Sequence, residues 1–164
     1  MSDMAAFRLE VVRPTLIHLQ EYHPQMWSPA AENLIMGTAA HESAGLKYVR
    51  QISGGPALGA FQMEPATVLD IWDNYLKAHL KLRNLIVELL WPWPEATDLT
   101  NQLVWNPTYA TAMARLVYWR RPEPLPDADD IEGLAQYWGR FYQTSNDPEK
   151  IQRFVFDYNF YVKE

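Results

Sequence analysis

Apolar positions along the chain recur mainly at helical spacing. Ala110, Met113, Leu116 and Val117 form one such set and Ile151, Phe154, Val155 and Tyr158 another, each covering one side of a 3.6-residue helix. Helix starts are marked by a capping side chain before a proline at Ser28-Pro29, Asn106-Pro107 and Asp147-Pro148, with a weaker version at Glu64-Pro65. Two further helices are predicted over about Asp3 to Tyr22 and Asp130 to Tyr142. The apolar stretch from Leu80 to Trp93 is broken by Lys81, Arg83 and Glu88. It is too short to cross a bilayer and predicts a core-facing helix. Pro92-Trp93-Pro94 and the run Pro122 to Pro126 predict rigid connections.

Gly45 to Met63 does not fit a helical pattern. Tyr48 to Ile52, the turn residues Ser53-Gly54-Gly55-Pro56 and the return through Leu58 to Phe61 predict a small β-hairpin or an irregular flap around residues 45–63. A loop-rich insertion in an α-domain is a usual place for function.

The 164 residues suit one domain spanning 1–164. With 48% apolar and 21% charged residues, the balance is globular and excludes a disordered chain. Fourteen Lys and Arg against 20 Asp and Glu give a formal charge of −6, so no field draws the protein to nucleic acid or anionic lipid. The absence of cysteine removes disulfides, thiolate metal sites and a cysteine nucleophile. Met1 to Arg13 carries Asp3 and Glu10 and has no apolar segment of the secretory kind, so export by a signal peptide is not expected.

Several chemistries fail on spacing. His41-Glu42 would begin a zinc-protease motif, but Gly45 stands where the second His is needed. His18, His23 and His79 show no ligand spacing, so no metal and no cofactor is expected. Neither Ser43 nor Ser53 has the flanks of a serine nucleophile elbow. Gly54-Gly55-Pro56 lacks the Gly-Lys-Ser/Thr ending of a phosphate loop.

Glu42 is the more informative residue. Ile35, Ala39 and Glu42 fall at i, i+4 and i+7 of the helix begun at Ser28-Pro29, which places the carboxyl on an apolar stripe. A carboxyl there loses solvation, its pKa rises, and it can serve as a general acid near neutral pH. Periodicity alone leaves two other readings, a side chain turned outward at the helix end or one paired with Arg50.

Beyond periodicity, His41-Glu42-Ser43, Ser53 and Gly59-Ala60-Phe61-Gln62-Met63-Glu64-Pro65-Ala66-Thr67 resemble the signature of the goose-lysozyme-like lytic transglycosylases. There Glu-Ser is followed by Gly-Leu-Met-Gln and Pro-Ala-Thr. The match covers Gly37 to Thr67, and the later segments Asn106 to Tyr118 and Ala135-Gln136-Tyr137 are similar to further family motifs. Trp138 stands in place of an Asn, Ala60 and Phe61 replace Leu and Met, and Glu64 occupies a position usually apolar.

The resemblance implies a mainly α, lysozyme-like domain acting on peptidoglycan glycan strands. Glu42 would be the single catalytic acid/base for the β-1,4 bond between N-acetylmuramic acid and N-acetylglucosamine. Ser43, Phe61, Gln62 and Tyr137 would bind substrate. The expected product is a 1,6-anhydro end, with no second carboxylate needed. Hydrolysis assisted by Glu64, Asp70 or Asp73 is the alternative, although Asp70 and Asp73 fit a solvent-facing side of the helix begun at Pro65. A silent glycan-binding or virion domain is the reading from another class. The context implied is a bacteriophage lysin or virion-associated wall enzyme, held in the particle or host cytoplasm and delivered to the wall; phage particle components would then be further partners. A bacterial enzyme separated from its leader is the other context.

Aromatic residues make up 13% of the chain. By spacing, Phe154, Tyr158 and Trp119 belong to the core, Phe61 and Tyr137 are expected to touch sugar, and Tyr48 and Trp138 fit either role.

Overall fold

The computed structural model describes residues 2–47, 55–92 and 98–163, and it is mainly helical. α1 (Asp3–Phe7) runs through a π-helical turn (Arg8–Val12) into α2 (Arg13–Leu19). The helix predicted from Asp3 to Tyr22 is thus continuous in backbone but shifted in phase, because a π turn holds one residue more than an α turn. α3 (Pro29–Glu42) follows, then α4 (Pro65–Asp70) with a π turn at Ile71–Tyr75, and α5 (Leu80–Val87). α6 (Asp98–Trp105), α7 (Pro107–Trp119), α8 (Ile131–Phe141) and α9 (Pro148–Asp157) complete the order, α9 ending in a π turn at Tyr158–Val162.

The caps act as the sequence predicts. Ser28 Oγ accepts the Ala31 N–H at 3.0 Å, Asn106 Oδ1 that of Tyr109 at 3.1 Å and Asp147 Oδ1 that of Glu149 at 3.0 Å. Each such cap contributes about 1 kcal/mol. Glu64 makes no side-chain cap, yet α4 begins at Pro65.

α5 ends before the predicted Trp93. Asn106 donates to the Leu89 carbonyl at 2.9 Å, and Gln102 accepts the Trp91 N–H at 3.0 Å. Side chains of α6 and its junction with α7 thereby take backbone groups that a longer α5 would have used itself. No helix is predicted from the sequence over α6.

The predicted β-hairpin is not seen. Among the described residues there is no strand, and Leu58 and Met63 form an isolated antiparallel bridge with reciprocal 3.0 Å bonds. Tyr48 to Gly54, which holds the first arm of the predicted hairpin and the start of its turn, lies outside the described residues. What is described of the segment is irregular backbone, with Gly59 at φ +81° and Gln62 at φ +46°. A Cβ on Gly59 would stand 2.1 Å from the Leu103 carbonyl oxygen, so the loop rests backbone against backbone on α6.

α3 and α7 occupy the centre. Ala31 to Ala40 is buried apart from the half-buried Asn33, as is Tyr109 to Tyr118; helices apolar all round belong inside a core. α3 packs against α7, α8, α9 and the π turns at Arg8–Val12 and Tyr158–Val162. Its first-turn carboxylate, Glu32, is 3% exposed. Glu32 accepts from Arg13 Nε at 2.7 Å, Trp27 Nε1 at 3.0 Å and Arg8 Nη1. Burial alone would raise its pKa, but these donors outweigh burial and hold it at about 2. Among the described residues, no helix is long and apolar enough to cross a membrane.

Candidate active site

Glu42 is the last residue of α3, where the chain leaves the core. Its carboxylate accepts a hydrogen bond from Trp138 Nε1 on α8 at 3.0 Å. Burial raises the pKa from 4.5 to about 7, against the opposing Trp138 N–H and the Lys150 charge. The C-terminal end of α3 also disfavours a negative charge. Glu32, in the first turn of the same helix, is driven the other way. One helix therefore carries a fixed carboxylate at one end and a carboxyl poised to exchange a proton at the other.

Glu42 opens into a cleft of about 280 Å³. Gln62, Met63 and Glu64 line one side of it, and Tyr142, Gln143 and Thr144 the other. Tyr142 ties the two sides together by donating to the Phe61 carbonyl at 2.5 Å. Gln62 folds back on its own loop, its Nε2 donating to the Gly59 carbonyl at 3.0 Å. The arrangement offers a proton donor and acceptor at Glu42, amide groups on Gln62 and Gln143, and a second carboxylate, Glu64, in the wall.

Of the residues assigned to substrate, only Gln62 shares the cleft with Glu42. Ser43 is fully buried. Its Oγ donates to the Ala39 carbonyl at 2.6 Å and accepts the Leu46 N–H at 3.1 Å, so it closes the turn after α3 instead of facing a ligand. Phe61 is 1% exposed, packs on Phe7 with ring centroids 6.1 Å apart and does not line the cleft. Tyr137 donates to the Glu123 carbonyl at 2.9 Å and lines a different cavity.

Helical phase explains the last difference. Trp138 and Tyr142 are four residues apart and share a face of α8, whereas Tyr137 stands about 100° away from Trp138. Once the indole turns to Glu42, Tyr142 must follow it and Tyr137 cannot. Spacing along α8 was the available signal for Trp138 and Tyr142, and the family motif pointed instead to Tyr137. Trp138 replaces the motif's Asn and is the residue that contacts the acid.

The remaining candidates separate clearly. Asp70 is exposed and accepts from Asn74 at 2.7 Å and from Arg120 at 2.9 Å; Asp73 is exposed, and neither lines the cleft. Arg50, the alternative partner for Glu42, lies with Tyr48 and Ser53 outside the described residues. His41 turns away from the cleft. Its Nδ1 lies 2.8 Å from Asp157 Oδ2, which fixes Nδ1 as the protonated nitrogen because a carboxylate only accepts. Burial lowers the His41 pKa despite Asp157, so the ring is neutral at pH 7. Among the described residues, no three or more His, Asp or Glu side chains gather as a metal site would require. Trp138 lies edge-on to His41 at 4.6 Å, which holds the indole between the His41–Asp157 pair and Glu42.

The aromatic residues divide more sharply than their spacing implied. Phe154, Tyr158 and Trp138 are core, while Trp119 is half-buried at the second cavity. Tyr137, Tyr118 and Tyr142 form a row with centroids 5.7 and 5.5 Å apart, a wall between that cavity and the Glu42 cleft. Compared with protein-family models, with curated proteins and with solved structures, the chain matches none of them.

Proposed function

We propose that the chain is a peptidoglycan-cleaving enzyme of lysozyme-like fold, a lytic transglycosylase with Glu42 as its single acid/base. The observation that carries the reading is the Glu42 carboxyl, raised to about 7 and opening into a cleft beside Gln62. A carboxyl of that pKa is half protonated at neutral pH, so it can give a proton and then take one.

In the forward step Glu42 protonates the oxygen leaving from C1 of N-acetylmuramic acid, and the C1–O bond breaks to an oxocarbenium-like centre. The Glu42 carboxylate then removes the proton from the C6 hydroxyl. O6 bonds to C1, which closes the 1,6-anhydro ring and returns Glu42 to its acid form. Trp138 orients the carboxylate during the charged half of this cycle, and Gln62 and Gln143 supply amide groups for the acetamido and hydroxyl substituents.

A hydrolytic outcome is favoured by one observation, the presence of Glu64 in the same cleft wall. In that case Glu64 would position a water for attack at C1.

Digestion of purified peptidoglycan, with mass spectrometry of the new sugar ends and Glu42→Gln as the control, tests the proposal. Anhydro ends that depend on Glu42 are expected. Reducing ends would transfer the assignment to the hydrolytic reading, and the absence of Glu42-dependent products would leave a glycan-binding or virion structural domain.

A further inference from the structure

A cavity larger than the Glu42 cleft lies across the tyrosine row from it. Its volume is about 520 Å³, within the range of small-molecule sites. Two of its lining residues, Arg115 and Glu123, carry opposite charge and form no salt bridge among the described residues. Arg115, on α7, is 3% exposed, and it donates from Nε to the Met26 carbonyl at 2.9 Å and from Nη2 to the Gln25 carbonyl at 3.2 Å. Its guanidinium also lies over the Trp119 ring, 5.4 Å from the centroid, and it makes no salt bridge among the described residues. A buried cation without a counter-charge is costly.

Two further features bear on what would satisfy it. Ser28 and Ala30 at the start of α3 line the same cavity, so the positive end of a fourteen-residue helix adds to the field of Arg115. Glu123 is also in the wall, and its Oε2 is shielded from solvent with no hydrogen-bond partner. A simple anion would answer Arg115 and leave Glu123 unsatisfied. A ligand carrying both an anionic group and an N–H donor would answer both.

Arg121 and Gln25 also line the cavity, and the Trp119, Tyr118 and Tyr137 rings with Leu125 and the prolines of the 122–126 connection form the rest, a surface that suits an apolar or aromatic body. We propose that this cavity binds a small zwitterionic ligand, an aromatic amino acid or a short peptide, with its carboxylate on Arg115 and its amino group on Glu123. The inference does not depend on the chemistry at Glu42.

Calorimetric titration of the full chain with L-phenylalanine, N-acetyl-L-phenylalanine, L-phenylalaninamide and the dipeptide Ala-Phe tests it. The free amino acid or the dipeptide should bind about tenfold more tightly than the amide, which lacks the carboxylate. Whichever of the two binds more tightly identifies the source, free amino acid or peptide. Glu123→Gln should remove the advantage of the free amine over the N-acetyl compound and keep that of the carboxylate over the amide. This variant leaves the backbone carbonyl that holds Tyr137 in place, and a thermal melt checks its fold. Equal affinity for acid and amide, an amine advantage that survives Glu123→Gln, or no saturable binding by any of the four probes would overturn the proposal.

Discussion

Trp138 donates its indole N–H to Glu42 Oε2 at 3.0 Å from a ring that is wholly buried. An indole can only donate, so this bond stabilises the carboxylate form and restrains a pKa that burial pushes upward. Trp138→Phe removes the donor while keeping a ring. The pKa of Glu42 should rise above about 7, and the alkaline limb of the pH–activity profile on purified peptidoglycan should move to higher pH. An unchanged or lowered limb would show that the indole does not govern the proton on Glu42.

Glu42→Gln should abolish cleavage and stabilise the fold at alkaline pH. The folded carboxyl titrates at about 7 against an ordinary value of 4.5, so the folded chain holds the proton that the unfolded chain has released. Stability therefore falls as pH rises from 4.5 to about 7. Above that window ionisation costs about 3 kcal/mol, which the uncharged amide avoids. Denaturant melts at acid and alkaline pH should show the variant's gain only at alkaline pH.

Glu32 gives the opposite sign. Its folded pKa of about 2 lies below the ordinary 4.5, so its contribution is present above 4.5 and is lost as pH falls toward 2. That contribution is about 3 kcal/mol. Glu32→Gln should lower stability at neutral pH by at least this amount, because Arg8 and Arg13 lose their counter-charge. Circular dichroism during acid titration should show a flatter acid limb in the variant.

The helix starts were legible because proline and a capping oxygen act locally, and the 3.0 Å bond from Ala31 N–H to Ser28 Oγ is what those two residues promised. The raised pKa of Glu42 was also legible from its apolar stripe, although between Ala31 and Ala40 only Asn33 is not fully buried, so α3 has far more than one buried face. Tyr137 was misplaced because a motif gives an order of residues and not the phase of a helix. α6 escaped notice because its contacts are distant in sequence: Gln102 meets Trp91, and Leu103 meets Gly59. The π turn at Arg8–Val12 has no periodic sign, being itself a break in period.

Gly59 is where such a distant contact can be tested. Gly59→Ala must place a methyl 2.1 Å from the Leu103 carbonyl at φ +81°, and backbone cannot yield as a side chain can. The 57–63 loop should lift from α6 and carry Gln62 and Met63 out of register with Glu42. Under the proposed function, cleavage should fall by more than about tenfold while the free energy of unfolding drops by only about 1–3 kcal/mol. Parallel rate and denaturation measurements separate the two effects.

The burial of α3 on all sides has a consequence for motion. Its amides from Ala31 to Ala40 sit among core side chains, so they should exchange hydrogen with solvent only when the whole domain opens. Glu42 is thereby fixed to the slowest-exchanging part of the molecule. Across the cleft, Gln62 belongs to a short irregular loop closed by the isolated Leu58–Met63 bridge, a segment that opens at far lower free energy. The two walls thus differ in compliance, and a ligand entering the cleft would displace the Gln62 side while the acid keeps its place.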